Sequence, residues 1–199
     1  MSSLAPALLL SMPQLMDPNF ARTVVLLCKH SEDGAFGLVL NRPLVTTGTV
    51  MVHLDPPVST DRELDIWIGG PVEPQRSWIL VGGGPEDVEV SGAGQIADGV
   101  YLSTSPTLLR RLLEPDPPRH ARLVVGYSGW GPGQLEHELA ESSWLLSDVD
   151  ADLVFNTPPD QMWEKAIRRL GADPATLTMS KGGHSGGLGT GDWGLGIRD

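Results

Sequence analysis

The chain has 199 residues, 40% hydrophobic and 20% charged, enough for one full-sized domain with a buried core and little for two. Its 14 basic and 25 acidic residues give a net charge of -11, which repels phosphate at long range and disfavours direct nucleic-acid binding. A lone cysteine, Cys28, excludes an intrachain disulfide, and no apolar run approaches the ~20 residues of a membrane helix, so no membrane association is expected.

Leu8-Leu9-Leu10 predicts a first strand near the amino terminus. The segment lacks the basic flank of a secretory signal and is soon broken by Pro13, so a cytoplasmic protein is expected. A turn around Met16-Asp17-Pro18-Asn19 leads into Thr23-Val24-Val25-Leu26-Leu27-Cys28, whose β-branched and apolar residues predict a buried strand. Cys28 then serves as a small buried hydrophobe. Cys28 and His30 have the spacing of a metal pair, but no second pair follows, and neither a metal nor another cofactor is expected. Gly37-Leu38-Val39-Leu40, too short for a helix and closed by Pro43, predicts another buried strand. Residues 47–54 predict a short helix. Ile66-Trp67-Ile68 and Trp78-Ile79-Leu80-Val81 predict strands, each ended by glycines, and Val88-Glu89-Val90 and Val100-Tyr101-Leu102 predict the arms of a hairpin or meander.

Helix signals are clearer in the second half. Ser105-Pro106 offers an N-cap with proline at the first helical position, Leu108, Leu109, Leu112 and Leu113 form an apolar face, and Pro115 stops it. Leu123-Val124-Val125 leads into Gly126-Tyr127-Ser128-Gly129-Trp130-Gly131-Pro132-Gly133, which predicts strand, glycine-rich turn, then a helix through Leu135 and Leu139. Thr157-Pro158-Pro159-Asp160 reads as a capping box before a helix with Met162, Trp163, Ala166, Ile167 and Leu170 on its core stripe and Gly171 as its end. Arg110-Arg111 and Arg168-Arg169 fall at helix C-termini, where cations complement the dipole. A strand-rich first half and a helix-bearing second half predict an α+β fold, residues 4–180 as one domain, and a glycine-rich flexible tail over residues 181–199.

No complete catalytic constellation emerges. Gly189-Thr190-Gly191-Asp192-Trp193-Gly194 matches the dinucleotide pattern without the helix that the mechanism requires. Around Ser128 the chain nearly matches a nucleophile elbow, but Trp130 stands where that strained turn needs a small residue, and His137 is poorly placed as a triad partner. Ser128 then reads as a cap or turn hydroxyl. Glu136, Glu138 and Glu141 read as a solvated helix face. The candidate ligand or partner site is assembled from strand ends and turns: Asn41 and Arg42 before Pro43, Gly70 and Pro71 in a tight turn, and Tyr127, Ser128, Trp130 and Gln134.

Several of these segments, in the same order, resemble the YqgE/AlgH family of small bacterial proteins. They are the Met16-Asp17-Pro18 turn, Thr23-Val24-Val25, Gly34-Ala35-Phe36-Gly37-Leu38-Val39-Leu40-Asn41-Arg42-Pro43, Gly69-Gly70-Pro71-Val72, the stretch from Gly126 through Glu136, Trp144 and the helix bearing Trp163. The resemblance implies a mixed, bifurcated β-sheet partly closed into a barrel and flanked by helices. It also implies membership of a mostly uncharacterised family, one branch of which carries a label as a transcriptional regulator of alginate production. Cys28-Lys29-His30 departs from the Glu-His pair more usual there. Three readings follow: a non-enzymatic regulatory or adaptor protein acting through a protein partner or small ligand and only indirectly on transcription, a ligand-binding protein or enzyme with a cleft at the named turns, or segments that serve the fold alone.

Overall fold

Strands built from apolar runs dominate the first half of the chain, and helices close the second. The computed structural model describes residues 2–13, 15, 17–44, 64–84 and 93–179. In chain order these form β1 (Ala7–Ser11), β2 (Val24–Ser31), β3 (Gly34–Val39), β4 (Ile66–Ile68), β5 (Val72–Gly82), β6 (Gly94–Ala97), β7 (Val100–Ser103), α1 (Pro106–Leu113), β8 (Ala121–Trp130), α2 (Gln134–Ala140), β9 (Trp144–Ser147), α3 (Ala151–Asn156), α4 (Pro159–Arg169) and α5 (Pro174–Met179). The helix expected over 47–54, the Val88-Glu89-Val90 strand and the 181–199 tail lie outside the described residues. Among those residues β7 pairs with β6 on one edge and with β5 on the other.

The sheet runs in the order β6-β7-β5-β8-β3-β2-β1-β9, with β4 joined to β8 off that path. Its branch lies on β8. One edge of β8 pairs antiparallel with β5, while the other takes β4 in parallel at Leu123, Val124 and Val125 and β3 antiparallel at Ser128, Gly129 and Trp130. Irregular registers in β2, β5 and β6 bend their strands, and with the natural twist they curl the sheet into a half-barrel. The fold is α+β, a bifurcated sheet flanked by helices.

Strand alternation explains why β1 and β2 read as unbroken apolar runs: both faces are buried. Leu8, Leu10, Val24, Leu26 and Leu38 face a first core filled by Leu153 and Val154 of α3 and by Met162, Trp163, Ala166 and Ile167 of α4. Leu9, Val25, Leu27 and Val39 face a second core with Phe20, Trp130, Leu135 and Trp144. On β5, Trp78 and Leu80 join the first core, while Ile79 and Val81 meet Leu108 and Leu112 of α1 in a third. Trp163 is further pinned by its indole N–H, which donates to Ser11 O at 2.9 Å.

One local expectation needs correction. The capping box at Thr157 does not form: Pro158 is the N-cap of α4, Pro159 opens the helix, and the Thr157 hydroxyl accepts instead from Lys165 Nζ at 3.5 Å. The second proline moves the start one residue on, beyond the reach of Thr157, which closes α3. The elements β9, α3 and α5 carry no strong sequence signal and were missed.

Helix α3 is capped by Asp150, whose Oδ1 accepts from Leu153 N at 3.0 Å, and Arg169 lies 2.9 Å from its other oxygen. The Leu153 amide, with Arg169 nearby, holds the Asp150 carboxyl below the usual carboxylate range. A depressed folded-state pKa contributes stability above the unfolded value that is lost as pH falls through the folded one. Asp150→Ala is therefore expected to cost about 1 kcal/mol at pH 7 and almost nothing once acid has protonated the wild-type cap. Urea denaturation at pH 7 and below pH ~3 measures both.

Candidate functional site

Strand β8 continues through the glycine-rich stretch to Trp130, so the expected turn at residues 126–130 is strand, and the turn proper is Gly131-Pro132-Gly133 ahead of α2. Glycine there serves the branch in the sheet. Gly126 has φ of +71°, and this left-handed residue shifts the side-chain alternation by one. As a result Val124 and Tyr127, three residues apart, both pack on the first core. Ser128 is fully buried and its Oγ donates to Gly69 O at 3.0 Å. The same carbonyl accepts from Val39 N, and Gly69 N donates to Val125 O, both at 2.8 Å. Ser128 thus fastens the 69–70 turn across the point where β3, β4 and β8 meet.

The structure sorts the other candidate residues into groups. Gly70 and Pro71 lie beside Tyr127 and Ser128 at the branch, where Val72 pairs with Tyr127. Trp130 faces the second core on the other side of the sheet, close to Gln134, whose Oε1 accepts from Gly131 N at 3.0 Å. Asn41 and Arg42 are turned toward the loop before β2. Asn41 Oδ1 accepts from Val24 N at 3.0 Å and its Nδ2 donates to Arg22 O at 2.9 Å, while Arg42 donates to Ala21 O at 3.0 Å.

Around Tyr127 a compact aromatic rim forms. Phe36 stands 5.1 Å from Tyr127 and 5.4 Å from Trp78, and Arg76 lies over Trp78 at 5.1 Å. Glu73, in a left-handed conformation with φ of +44°, sits in the irregular part of β5, pairs with Arg76 and lies near the Tyr127 hydroxyl. Burial, reinforced by Glu73, pushes the Tyr127 phenol up.

Sequence reasoning missed three polar anchors. Glu138 Oε2 accepts from both Trp130 Nε1 at 2.6 Å and Trp144 Nε1 at 3.1 Å, and Phe20 packs against both indoles. Buried His30 accepts from Leu4 N at Nδ1, 3.0 Å away, and bonds Glu136 through Nε2, which holds the Glu136 carboxyl below its usual range. Arg122 is sandwiched between Trp67 at 4.4 Å and Phe155 at 5.7 Å. It donates to Phe155 O at 3.2 Å, its Nη1 is buried without a hydrogen-bond partner, and burial lowers its pKa. The available signal was the pairing of tryptophans with carboxylates: a buried indole N–H needs an acceptor. Burial pushes the Cys28 thiol up to about 12. Among the described residues no group of three His, Cys, Asp or Glu could hold a metal ion.

Residues 8–175 match the AlgH-like family. The chain belongs to that family. Among relatives, the UPF0301 protein of Myxococcus xanthus is 43% identical over 185 residues, covering 92% of this chain and 99% of that one. Its counterpart in Anaeromyxobacter dehalogenans is 40% identical, covering 92% and 95%. The solution structure of the AlgH protein from Pseudomonas aeruginosa superposes with a TM-score of 0.66 at 31% identity, covering 92% of this chain and 97% of that one. A Corynebacterium diphtheriae protein, 24% identical, shares the fold with a TM-score of 0.64, covering 88% and 90%. No described helix of this AlgH-like chain is long and apolar enough to cross a membrane.

Proposed function

We propose that this AlgH-like chain is a non-enzymatic regulatory or adaptor protein, and that any effect on transcription is indirect. One observation carries the reading: the side chains best suited to nucleophilic or base chemistry are already engaged within the fold. Ser128 is buried on Gly69 O, His30 is held between Leu4 and Glu136, and burial pushes the Cys28 thiol up to about 12. The net charge of -11 supports the indirect route, because phosphate binding needs clustered cations and Arg122 is withdrawn into the fold.

The test joins two measurements. A gel shift at low salt against fragmented genomic DNA is expected to give no specific complex, and a tight, specific band overturns the indirect route. Ser128→Ala, which loses about 1 kcal/mol of hydrogen bonding while Gly69 O keeps Val39 N, is expected to restore a deletion strain's transcript profile as fully as the wild type does. Failure of a folded Ser128→Ala protein to do so sinks the non-catalytic reading.

The aromatic rim favours a second reading, a small-ligand site reaching from Tyr127, Gly70 and Pro71 toward Asn41 and Arg42. Aromatic walls beside Arg76 suit a planar or anionic ligand. A thermal-shift screen of metabolites and nucleotides tests it, and the reading falls if no compound raises Tm or if a hit survives Tyr127→Ala unchanged.

A further inference from the structure

His30 sits where β1 and β2 part. The two strands pair from Leu10 opposite Val24 to Ala7 opposite Leu27. Ahead of Ala7 the N-terminal segment leaves the ladder, while β2 continues, irregular at Cys28, with Lys29, His30 and Ser31 paired to β3. The space between them is an open groove of about 590 Å³, lined by Ala5 and Pro6 on the segment, by Lys29 and His30 on β2, and by Trp130. Leu4 N–H spans it, donating to Nδ1 of His30 at 3.0 Å.

A ring nitrogen that accepts a hydrogen bond carries no proton. The Leu4 bond therefore fixes the neutral tautomer with hydrogen on Nε2, where the Glu136 carboxylate of α2 accepts it. The two partners answer protonation in opposite ways. A carboxylate bonds the imidazolium at least as well as the imidazole. The Leu4 amide cannot, because an Nδ1–H would then face its own N–H.

We propose that His30 is a proton-operated latch on the N-terminal segment. With the ring neutral, Leu4 is fastened and residues 2–6 close one side of the groove. When the ring charges, it keeps Glu136 and releases Leu4, so Leu4 and Ala5 come away from the second core on which they pack. The charged groups around the ring are Glu136 on α2 and Lys29, Glu32 and Asp33 on the β2–β3 hairpin, while residues 2–6 carry no ionisable side chain. The His30 side chain is 1% exposed, so bulk water does not replace the lost acceptor in place and the segment has to move.

Nitrogen-15 NMR of the histidine ring, followed together with hydrogen exchange at the Leu4 amide from pH 8 to pH 5, tests the latch. The expected result is the Nε2–H tautomer at pH 8, then a fall of about tenfold in Leu4 protection, beyond the intrinsic pH dependence, in step with ring protonation. Amides in the β2–β3 ladder should keep their protection. His30→Gln keeps a donor toward Glu136 and does not titrate, so it should abolish the step. An Nδ1–H tautomer at pH 8, unchanged Leu4 protection through the titration, or a step that persists in His30→Gln overturns the proposal. Should that variant fail to fold, the wild-type tautomer and titration decide alone.

Discussion

Gly70→Ala and Gly126→Ala are each expected to abolish the cooperatively folded protein, whereas Gly129→Ala, in the same strand, is expected to leave it folded. At Gly70 an added methyl would overlap the carbonyl of Tyr127 and come within 2.5 Å of Ser128 N. At Gly126 it would overlap Gly70 O, and the +71° backbone is strained for any L side chain. The obstacles are backbone atoms, held by the paired strands that define the branch, so no rotamer change relieves them. Each change should exceed the ~4–5 kcal/mol that marks exceptional substitutions, against a total stability of about 5–15 kcal/mol. At Gly129 the nearest obstacle is the edge of the Tyr127 ring, 3.4 Å away, which a small side-chain shift relieves. Near-UV circular dichroism and thermal melts separate the three variants. A cooperative melt of Gly70→Ala close to the wild type would show that β3, β4 and β8 do not meet as described.

Removing the Glu138 carboxylate should produce the next largest loss. Glu138→Ala leaves two buried indole N–H groups, those of Trp130 and Trp144, without their acceptor. Stranding buried donors costs roughly 1–3 kcal/mol each, and partial access of water to the half-buried Glu138 site reduces the sum, so a loss of about 2–4 kcal/mol is expected. Glu138→Gln keeps one carbonyl acceptor and should fall between the wild type and Glu138→Ala. Trp130→Phe removes one of the two donors, so Glu138→Ala should cost less in that background, and the difference isolates the Trp130 bond. Urea denaturation with tryptophan fluorescence reads the series. Equal costs in both backgrounds would show that Trp130 draws nothing from Glu138.

Both experiments bear on the stretch from Gly126 to Glu138, which local reasoning takes for a turn before a helix. Glycine is the usual turn former, so Gly126 and Gly129 suggested a loop, and Ser128 suggested a cap. In the fold the glycine at 126 permits close backbone approach within a strand, and Ser128 bonds a carbonyl 59 residues away. The strands around it were easier to read. Leu8-Leu9-Leu10 and Val24-Val25-Leu26-Leu27 have no local alternative to burial on both faces, and the Met162, Trp163, Ala166, Ile167 stripe needs only helical spacing. The weak elements β9, α3 and α5 are short, and long-range pairing and packing hold them.

The α+β character of the chain, the apolar runs that become its principal strands, the amphipathic faces of α1 and α4 and a net charge of -11 can all be read from the residues alone. Those properties follow from composition and periodicity within a few residues. The folded arrangement is needed to see that β8 divides one edge between β3 and β4, that Glu136 and Glu138 are committed to His30 and to two tryptophans, and that Arg122 lies between aromatic rings. These are meetings between residues distant in the chain, set by which strand edges pair and which face each strand turns inward, and no local pattern encodes them.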